Sequence, residues 1–192
     1  MDAHERRALP EGWEWKRLGD IITYKKGRKP VALLDEETQG SLQYLTAEYF
    51  RTGNSKNFVP KEELSKCISC SAQDIILIWD GSNAGDIFMG LNGVVASTMV
   101  KIEPNERPLK TYAHFFLKTQ FQTLNEHTNG SSIPHVSKSL FDNTRIPPPL
   151  PTQRRIVSIL EKAEETKKLR AQADELTDRL LQSVFLEMFV YQ

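Results

Sequence analysis

Polar and basic side chains beside glycines form the clearest groups able to bind a ligand in this sequence. A glycine-containing segment closed by Pro30 carries four cations, and such cations suit phosphate oxygens. A second polar loop is bracketed by Gly81 and Gly85, and an asparagine amide there could pair with the edge of an adenine base. A third polar group follows Gly130. The candidate binding residues are Lys25, Lys26, Arg28, Lys29, Ser82, Asn83, Ser131, Ser132, His135 and Lys138.

Each of these groups also has a plain structural interpretation. The basic segment could be an ordinary solvated loop, and Ser82 and Asn83 could belong to a simple turn. Any one group alone is therefore weak support for binding. The chemistry that the three groups share is recognition of a partner rather than catalysis.

Known catalytic motifs do not occur in the sequence. It has no G-x-x-x-x-G-K-[ST] phosphate loop, no G-x-G-x-x-G fingerprint and no G-x-S-x-G nucleophile elbow. Glu165 and Lys167 have the nuclease-like E-x-K spacing, but their position within a long helical segment favours a solvated helix face. The prolines 147–149 do not follow Asn or Asp, as they would in the tetrad of amino-methyltransferases. We therefore expect a protein without catalytic residues.

The two cysteines, Cys67 and Cys70, are spaced C-x-x-C. A zinc site needs four ligands, no second cysteine pair exists, and no histidine has finger spacing to this pair. A redox pair should open a helix after a strand, whereas here a strand is expected after the cysteines. We expect two reduced thiols and neither metal nor cofactor on this chain, with a redox pair and a metal site as the alternatives.

The composition is that of an ordinary globular protein. The chain has 192 residues, of which 39% are hydrophobic and 26% charged, and its net charge is zero. This balance argues against an unaided, tight, non-specific DNA binder, although a local basic patch could still bind. The longest apolar run, Ile75 to Trp79, is far shorter than the ~20 residues of a membrane span. The first residues lack the apolar core of a secretory signal, so a cytoplasmic location is expected.

Hydrophobic patterning predicts a mixed α+β domain over residues 1–151. Residues 15–24 and 42–50 are each compatible with a strand or a short helix, and Lys25 to Pro30 is predicted as a loop. Residues 75–79 predict a buried strand because the run is short, β-branched and bounded by turn residues.

The following segment has a hairpin pattern. Residues 87–89 resume a strand, Asn92 and Gly93 form a strong hairpin signal, and residues 94–102 are predicted as the return strand. Apolar residues recur at near-helical spacing over 109–126, which predicts one amphipathic helix.

The C-terminal segment, residues 152–192, contains neither Pro nor Gly. A helix capped by Thr152 and running over 153–189 would be ~55 Å long. An apolar stripe with coiled-coil-like spacing on this helix needs a partner, either outside the domain or by folding back on it. We predict a spacer or dimerisation helix whose stripe consists of Leu169, Ala173, Leu176, Leu180 and Val184.

Five segments occur in an order that is more specific than any one of them. The most specific is residues 146–157, I-P-P-P-L-P-T-Q-R-R-I-V, in which a proline run leads into Q-x-x-I. The other four are residues 9–20, residues 74–78 with the glycine–serine loop after them, residues 97–102, and residues 133–135 with Leu140 following.

In these segments the chain resembles the DNA-specificity (S) subunit of type I restriction–modification systems. The junction at residues 146–157 is similar to the family's "IPLPPL-x-x-Q-x-x-I", where a target-recognition domain meets a spacer helix. The resemblance implies a non-catalytic subunit that reads double-stranded DNA. It implies a partner modification subunit that binds S-adenosylmethionine and methylates adenine N6, and a possible third subunit with nuclease and translocase activity.

The sequence departs from the family pattern in having one recognition domain and one spacer helix instead of two of each. It is either a half subunit or a piece of a longer chain. Our hypothesis is a half subunit that pairs antiparallel with a second copy and so reads a symmetric, interrupted target. A stand-alone DNA-binding regulator dimerised by its helix is the alternative, and an enzyme acting on DNA is a more distant one.

Overall fold

The computed structural model describes residues 11, 14–54, 57–105, 107–130, 133–147 and 150–189. The chain divides into two compact units, Met1–Gln153 and Arg154–Gln192, and the predicted boundary after residue 151 lies close to this division. The first unit combines sheets with short helices, and the second is a segment of one long helix. The predicted α+β class is therefore confirmed.

The strands of the described residues form two four-stranded sheets and one two-stranded ribbon. Most are short, so each sheet depends on pairing between segments far apart in the sequence. The strands are β1 (Lys16–Arg17), β2 (Ile22–Lys26), β3 (Leu42–Leu45), β4 (Phe58–Val59), β5 (Ser69–Cys70), β6 (Ile75–Ile78), β7 (Ile87–Met89), β8 (Gly93–Val95), β9 (Met99–Pro104) and β10 (Arg145–Ile146).

The first sheet is antiparallel throughout, in the order β2-β9-β6-β7. All four residues of β6 are buried, because this inner strand is covered on both faces. The second sheet, β4-β3-β8-β5, is mixed, since β3 pairs parallel with β8 while the other pairs are antiparallel. The ribbon joins β1 to β10 and so brings the two ends of the domain together.

The main core cluster lies between the two sheets. Ile76 and Ile78 from β6 pack in one buried cluster with Leu45 from β3 and Val94 from β8. Successive side chains of a strand point to opposite faces, so Ile75 and Leu77 lie on the other side of β6. Helix residues Ala113 and Leu117 are fully buried, and their helix packs on β7 and β9.

The helices begin and end where local chemistry predicts. The Thr46 side chain accepts a hydrogen bond from the Tyr49 N–H at the start of α2, and Gly53, with φ of 69°, ends that helix. Ser137 caps α5 in the same way. The helices are α1 (Leu18–Ile21), α2 (Ala47–Thr52), a 3-10 helix (Lys61–Lys66), α3 (Arg107–Thr119), α4 (Phe121–Glu126), α5 (Lys138–Asn143) and α6 (Leu150–Phe189).

The hairpin predicted at Asn92 and Gly93 is wrong. Strand β7 pairs with β6, and the predicted return strand is instead two strands, β8 and β9, in different sheets. Neither residue has the positive φ that a tight hairpin turn requires. Gly93 is needed for close approach, because a Cβ there would lie 2.5 Å from the carbonyl oxygen of Gln43.

Three smaller predictions also need correction. Lys25 and Lys26 belong to strand β2 rather than to the loop that follows, because they pair with Lys101 and Val100. The helix predicted over 109–126 is two helices, α3 and α4, separated at Gln120. Thr152 is not a helix cap, because α6 already begins at Leu150, with Pro151 in the first turn, where proline is tolerated.

Helix α6 has 40 residues, which corresponds to ~60 Å. Its side chains from residue 161 to residue 189 are exposed. No helix in the described part of the chain is both long and apolar enough to cross a membrane.

Candidate nucleic-acid interface

One end of the first sheet gathers most of the predicted binding segments. Lys26, the last residue of β2, pairs with Val100 near the start of β9, and Ile78, the last residue of β6, pairs with Met99. In an antiparallel sheet these strand ends lie at the same end of the sheet. The basic segment after β2 and the polar loop after β6 therefore leave the sheet at the same end, with β9 between their strands.

The two lysines of β2 form ion pairs with carboxylates, one of which, Glu103, also pairs with Lys101 at 3.2 Å. Lys25 Nζ lies 2.9 Å from Glu103 Oε2, and Lys26 Nζ lies 2.8 Å from Asp80 Oδ2. The hydrogen bond from Lys25 is the largest cause of the lowered pKa of Glu103. Because both cations already have acidic partners, their net contribution to a positive surface is small.

Arg28 and Lys29 are the exposed cations of the basic segment, and neither forms an ion pair with another described residue. Their backbone is held on both sides. The Gly27 N–H donates to the Met99 carbonyl at 2.9 Å, and the Val31 N–H donates to Glu63 Oε2 at 2.8 Å. This short segment is therefore pre-organised to present two positive charges.

Ser82 and Asn83 lie in the loop from Asp80 to Asp86, hereafter the polar loop. Gly81 and Gly85 have φ of 109° and 102°, a backbone conformation that favours glycine. The Ser82 side chain is exposed, and Asn83 Nδ2 donates to its hydroxyl at 3.2 Å. The side chains at the loop tip are thus polar and accessible.

His135 joins a second segment to the polar loop. It forms isolated β-bridges with both Asp80 and Asn129. The Gly81 N–H donates to the Pro134 carbonyl at 2.8 Å, and the Val136 N–H donates to the Trp79 carbonyl at 2.9 Å. The structure therefore brings His135 next to the polar loop, although they are more than 45 residues apart in sequence.

Lys138, the first residue of α5, lies over an aromatic cluster. Its Nζ is 5.9 Å from the centroid of the Tyr24 ring, which stacks on Trp79 at 5.2 Å and meets Phe141 edge-on. Asp142 accepts a hydrogen bond from Lys138 and raises the pKa of that lysine. These contacts link β2 and the end of β6 to α5.

The structure thus brings Lys26, Ser82, Asn83, His135 and Lys138 to one end of the first sheet. Arg28 and Lys29 follow Lys26 in the chain at this end, whereas Lys25 forms an ion pair with Glu103. The predicted residues Ser131 and Ser132 lie outside the described part of the chain.

Two features at this end of the sheet were not predicted from the sequence. Asn125 on α4 donates to backbone carbonyls of the polar loop, and the Tyr24–Trp79 stack supports the lysine at position 138. The aromatic residues alone carry no position-specific signal. Asn125 sits on the polar side of an amphipathic helix, which is where a solvated residue is also expected.

Cys67 and Cys70 do not form a disulfide in the structure. Burial raises the pKa of Cys67 and raises that of Cys70 to about 11, so little reactive thiolate is present at neutral pH. Within the described ranges, no three His, Cys, Asp or Glu side chains form a group that could hold a metal ion.

The predicted stripe on α6 is solvent-exposed. Leu176 is 64% and Leu180 63% exposed. The apolar surface is broader near the helix end than the sequence analysis expected, because further large side chains are exposed there: Leu181, Phe185, Leu186, Met188 and Phe189.

The sequence model of one protein family, the type I restriction modification DNA specificity domain, matches residues 10–176. The chain belongs to this family. The match covers most of the first unit and more than half of α6, so the resemblance seen in the sequence is confirmed. This DNA specificity domain is also 45% identical, over 154 residues, to the type I restriction enzyme MjaVIII specificity subunit of Methanocaldococcus jannaschii. That alignment covers 79% of this chain and 36% of the relative.

Solved structures share the fold of the DNA specificity domain. A chain from a study of assembly and conformational transition in a type I R-M system matches with a TM-score of 0.71 and 19% identity, over 94% of this chain and 45% of that one. The S subunit of a type I restriction-modification system from M. genitalium matches with a TM-score of 0.65 and 18% identity, over 97% of this chain and 48% of that one. The chain spans less than half the length of the relatives that it matches.

Proposed function

We propose that this chain recognises DNA sequence for a type I restriction–modification complex and directs adenine-N6 methylation, with restriction, by partner subunits to an interrupted two-part target. The family match over residues 10–176 carries this proposal. The comparisons give no support to the alternative of a stand-alone regulator.

The geometry at this end of the first sheet supports separate roles for phosphate contacts and base contacts. Arg28 and Lys29 are exposed cations suited to phosphate oxygens, which fix the position of a protein on DNA. Ser82 and Asn83 are polar groups on a glycine-bracketed loop that can donate to and accept from base edges. Because the net charge of the chain is zero, binding by this chain alone should be weak and salt-sensitive.

The chemistry belongs to partners in this proposal. A modification subunit would bind S-adenosylmethionine, extrude the target adenine from the duplex and methylate it. This chain would supply no catalytic group, and a third subunit would supply restriction and translocation. The location that fits this role is the cytoplasm.

We also propose that α6 pairs antiparallel with α6 of a second copy. Leu169, Leu176 and Leu180 are exposed on one side of the helix, and most helical stability in proteins comes from packing such an apolar face. A two-fold dimer of this kind would place two identical recognition domains a fixed distance apart, so that the ~60 Å helix sets the gap between the half-sites. Two identical domains would read a symmetric target.

The test is a genome-wide map of N6-methyladenine in cells that contain the partner modification subunit, with and without this chain. A symmetric two-part motif that disappears without the chain is the expected result. An asymmetric motif would keep the specificity role and reject pairing with an identical copy. An unchanged methylation map would reject the proposed function.

A further inference from the structure

A side chain of helix α4 forms hydrogen bonds to the backbone of the polar loop. Asn125 Nδ2 donates to the Ala84 carbonyl at 2.8 Å and to the Ser82 carbonyl at 3.2 Å. Both amide hydrogens are therefore directed at the loop backbone, on either side of Asn83. The side-chain amide nitrogen of Asn125 therefore has no further hydrogen to donate to a base.

The ends of the loop are fixed as well. The Gly85 N–H donates to the Ile78 carbonyl at 2.9 Å, and the Gly81 N–H donates to Pro134 at 2.8 Å. A Cβ at Gly85 would lie 3.1 Å from Leu124 Cβ, so the loop passes directly over α4. Between these anchors, the amide of Asn125 holds the backbone on both sides of the loop tip.

We propose that Asn125 is a positioning residue for base discrimination. It holds the polar loop in the one conformation that presents Ser82 and Asn83 to a groove of the DNA, and it acts through them rather than by touching a base. This inference rests on the proposed function. Its physical reason is that a misplaced loop keeps its charge and polarity but loses the alignment on which hydrogen bonding to base edges depends.

The test compares two substitutions with a matched control on the same helix. In Asn125→Asp the carboxylate faces two carbonyl oxygens and repels them, whereas Asn125→Ala only removes the two hydrogen bonds. Gln122→Ala is the control, because Gln122 bonds to Glu126 on its own helix and not to the loop. Each protein is assembled with the modification subunit and tested on the wild-type motif and on all of its single-base variants.

The expected readout is the ratio of binding between the motif and its variants. Asn125→Asp should lower this ratio about tenfold at the base pairs read by the loop, Asn125→Ala should lower it less, and Gln122→Ala should leave it unchanged. Binding to unrelated DNA, and its salt dependence, should stay unchanged in all three. Equal loss on all sequences would show a merely structural role and overturn the inference.

The two proposals fail in different ways. If the wild-type complex does not distinguish the motif from its variants, the proposed function is wrong. If the wild-type complex does distinguish them and Asn125→Asp keeps the full ratio, only the role of Asn125 is wrong.

Discussion

Lys26 Nζ lies 2.8 Å from Asp80 Oδ2, so the last residue of strand β2 is neutralised by the first residue of the polar loop. Lys25 is paired with Glu103, a carboxylate that it shares with Lys101. The four cations that look equivalent in the sequence therefore divide into two paired lysines on a strand and two free cations after Gly27. This difference leads to a direct prediction about DNA binding.

Arg28 and Lys29 should contribute more to phosphate binding than Lys25 and Lys26. The slope of log affinity against log salt changes by about 0.9 for each phosphate contact. We expect R28Q/K29Q to reduce the slope by up to about 2, and K25Q/K26Q to reduce it by less than about 1. Fluorescence anisotropy on one duplex over a salt series measures both. The reverse ranking would mean that the lysines leave their carboxylates to bind DNA.

Gly27→Ala should destabilise the domain more than Gly53→Ala. A Cβ at Gly27 would overlap the carbonyl oxygens of Val95 and Ala96, which are backbone atoms and cannot easily move. We expect a loss of about 2 kcal/mol or more in the free energy of unfolding. Gly53 has positive φ but open space around it, so alanine there should cost about 1 kcal/mol. Urea unfolding compares the two, and equal losses would contradict the close approach.

Asp74 should stabilise the domain in a pH-dependent way. Burial alone would raise its pKa, but hydrogen bonds from Lys110 and Ser71 outweigh burial and lower the pKa from 3.8 to about 2. A depressed pKa gives stability that is present above pH 3.8 and is lost as the pH falls toward about 2.

Asp74→Asn should therefore reduce the free energy of unfolding by about 2 kcal/mol at pH 7. The difference from wild type should shrink as the pH falls below 4, because the protonated aspartic acid then resembles asparagine. Urea unfolding at pH 7 and near pH 3 checks this. A difference that does not change with pH would show that packing, and not charge, makes Asp74 important.

Asn83→Ala should relax the methylated motif at a single base pair per half-site. One good base contact contributes about 1–3 kcal/mol of discrimination, and removing it should leave the other positions unchanged. The measurement is the N6-methyladenine motif in cells that carry the variant. An unchanged motif would remove Asn83 from the predicted base contacts, and a uniform loss of methylation would point to a folding defect instead.

Leu176→Asp with Leu180→Asp should convert the proposed dimer into a monomer. Both side chains are exposed on the predicted stripe, and a buried aspartate without a partner would disrupt helix pairing. Ala171→Asp with Lys167→Gln changes the net charge by the same amount on the opposite side of the helix, before the broader apolar surface near its end, and serves as the control. Light scattering gives the mass of each protein. An unchanged mass for the stripe variant, or an equal change in the control, would reject the stripe as the interface.

The sequence by itself determined the class of fold, the family and the long helix. These features depend on local or ordered signals: the buried run at Ile75–Ile78, the proline-rich junction before α6 and the apolar spacing along α6. Each such signal depends on spacing or order along the chain and not on contacts between distant residues, so the sequence carries it directly.

Only the tertiary structure decided how strands pair and which charges stay free. Asn92 and Gly93 have the sequence of a hairpin, but the close approach of Gln43 to Gly93 places that segment in the second sheet. Lys26 and Arg28 look alike until Asp80 is brought to one of them. Asn125 gains its position only when the polar loop crosses α4. Each of these contacts joins residues tens of positions apart, and long-range pairing depends on the packing of the whole domain rather than on local sequence.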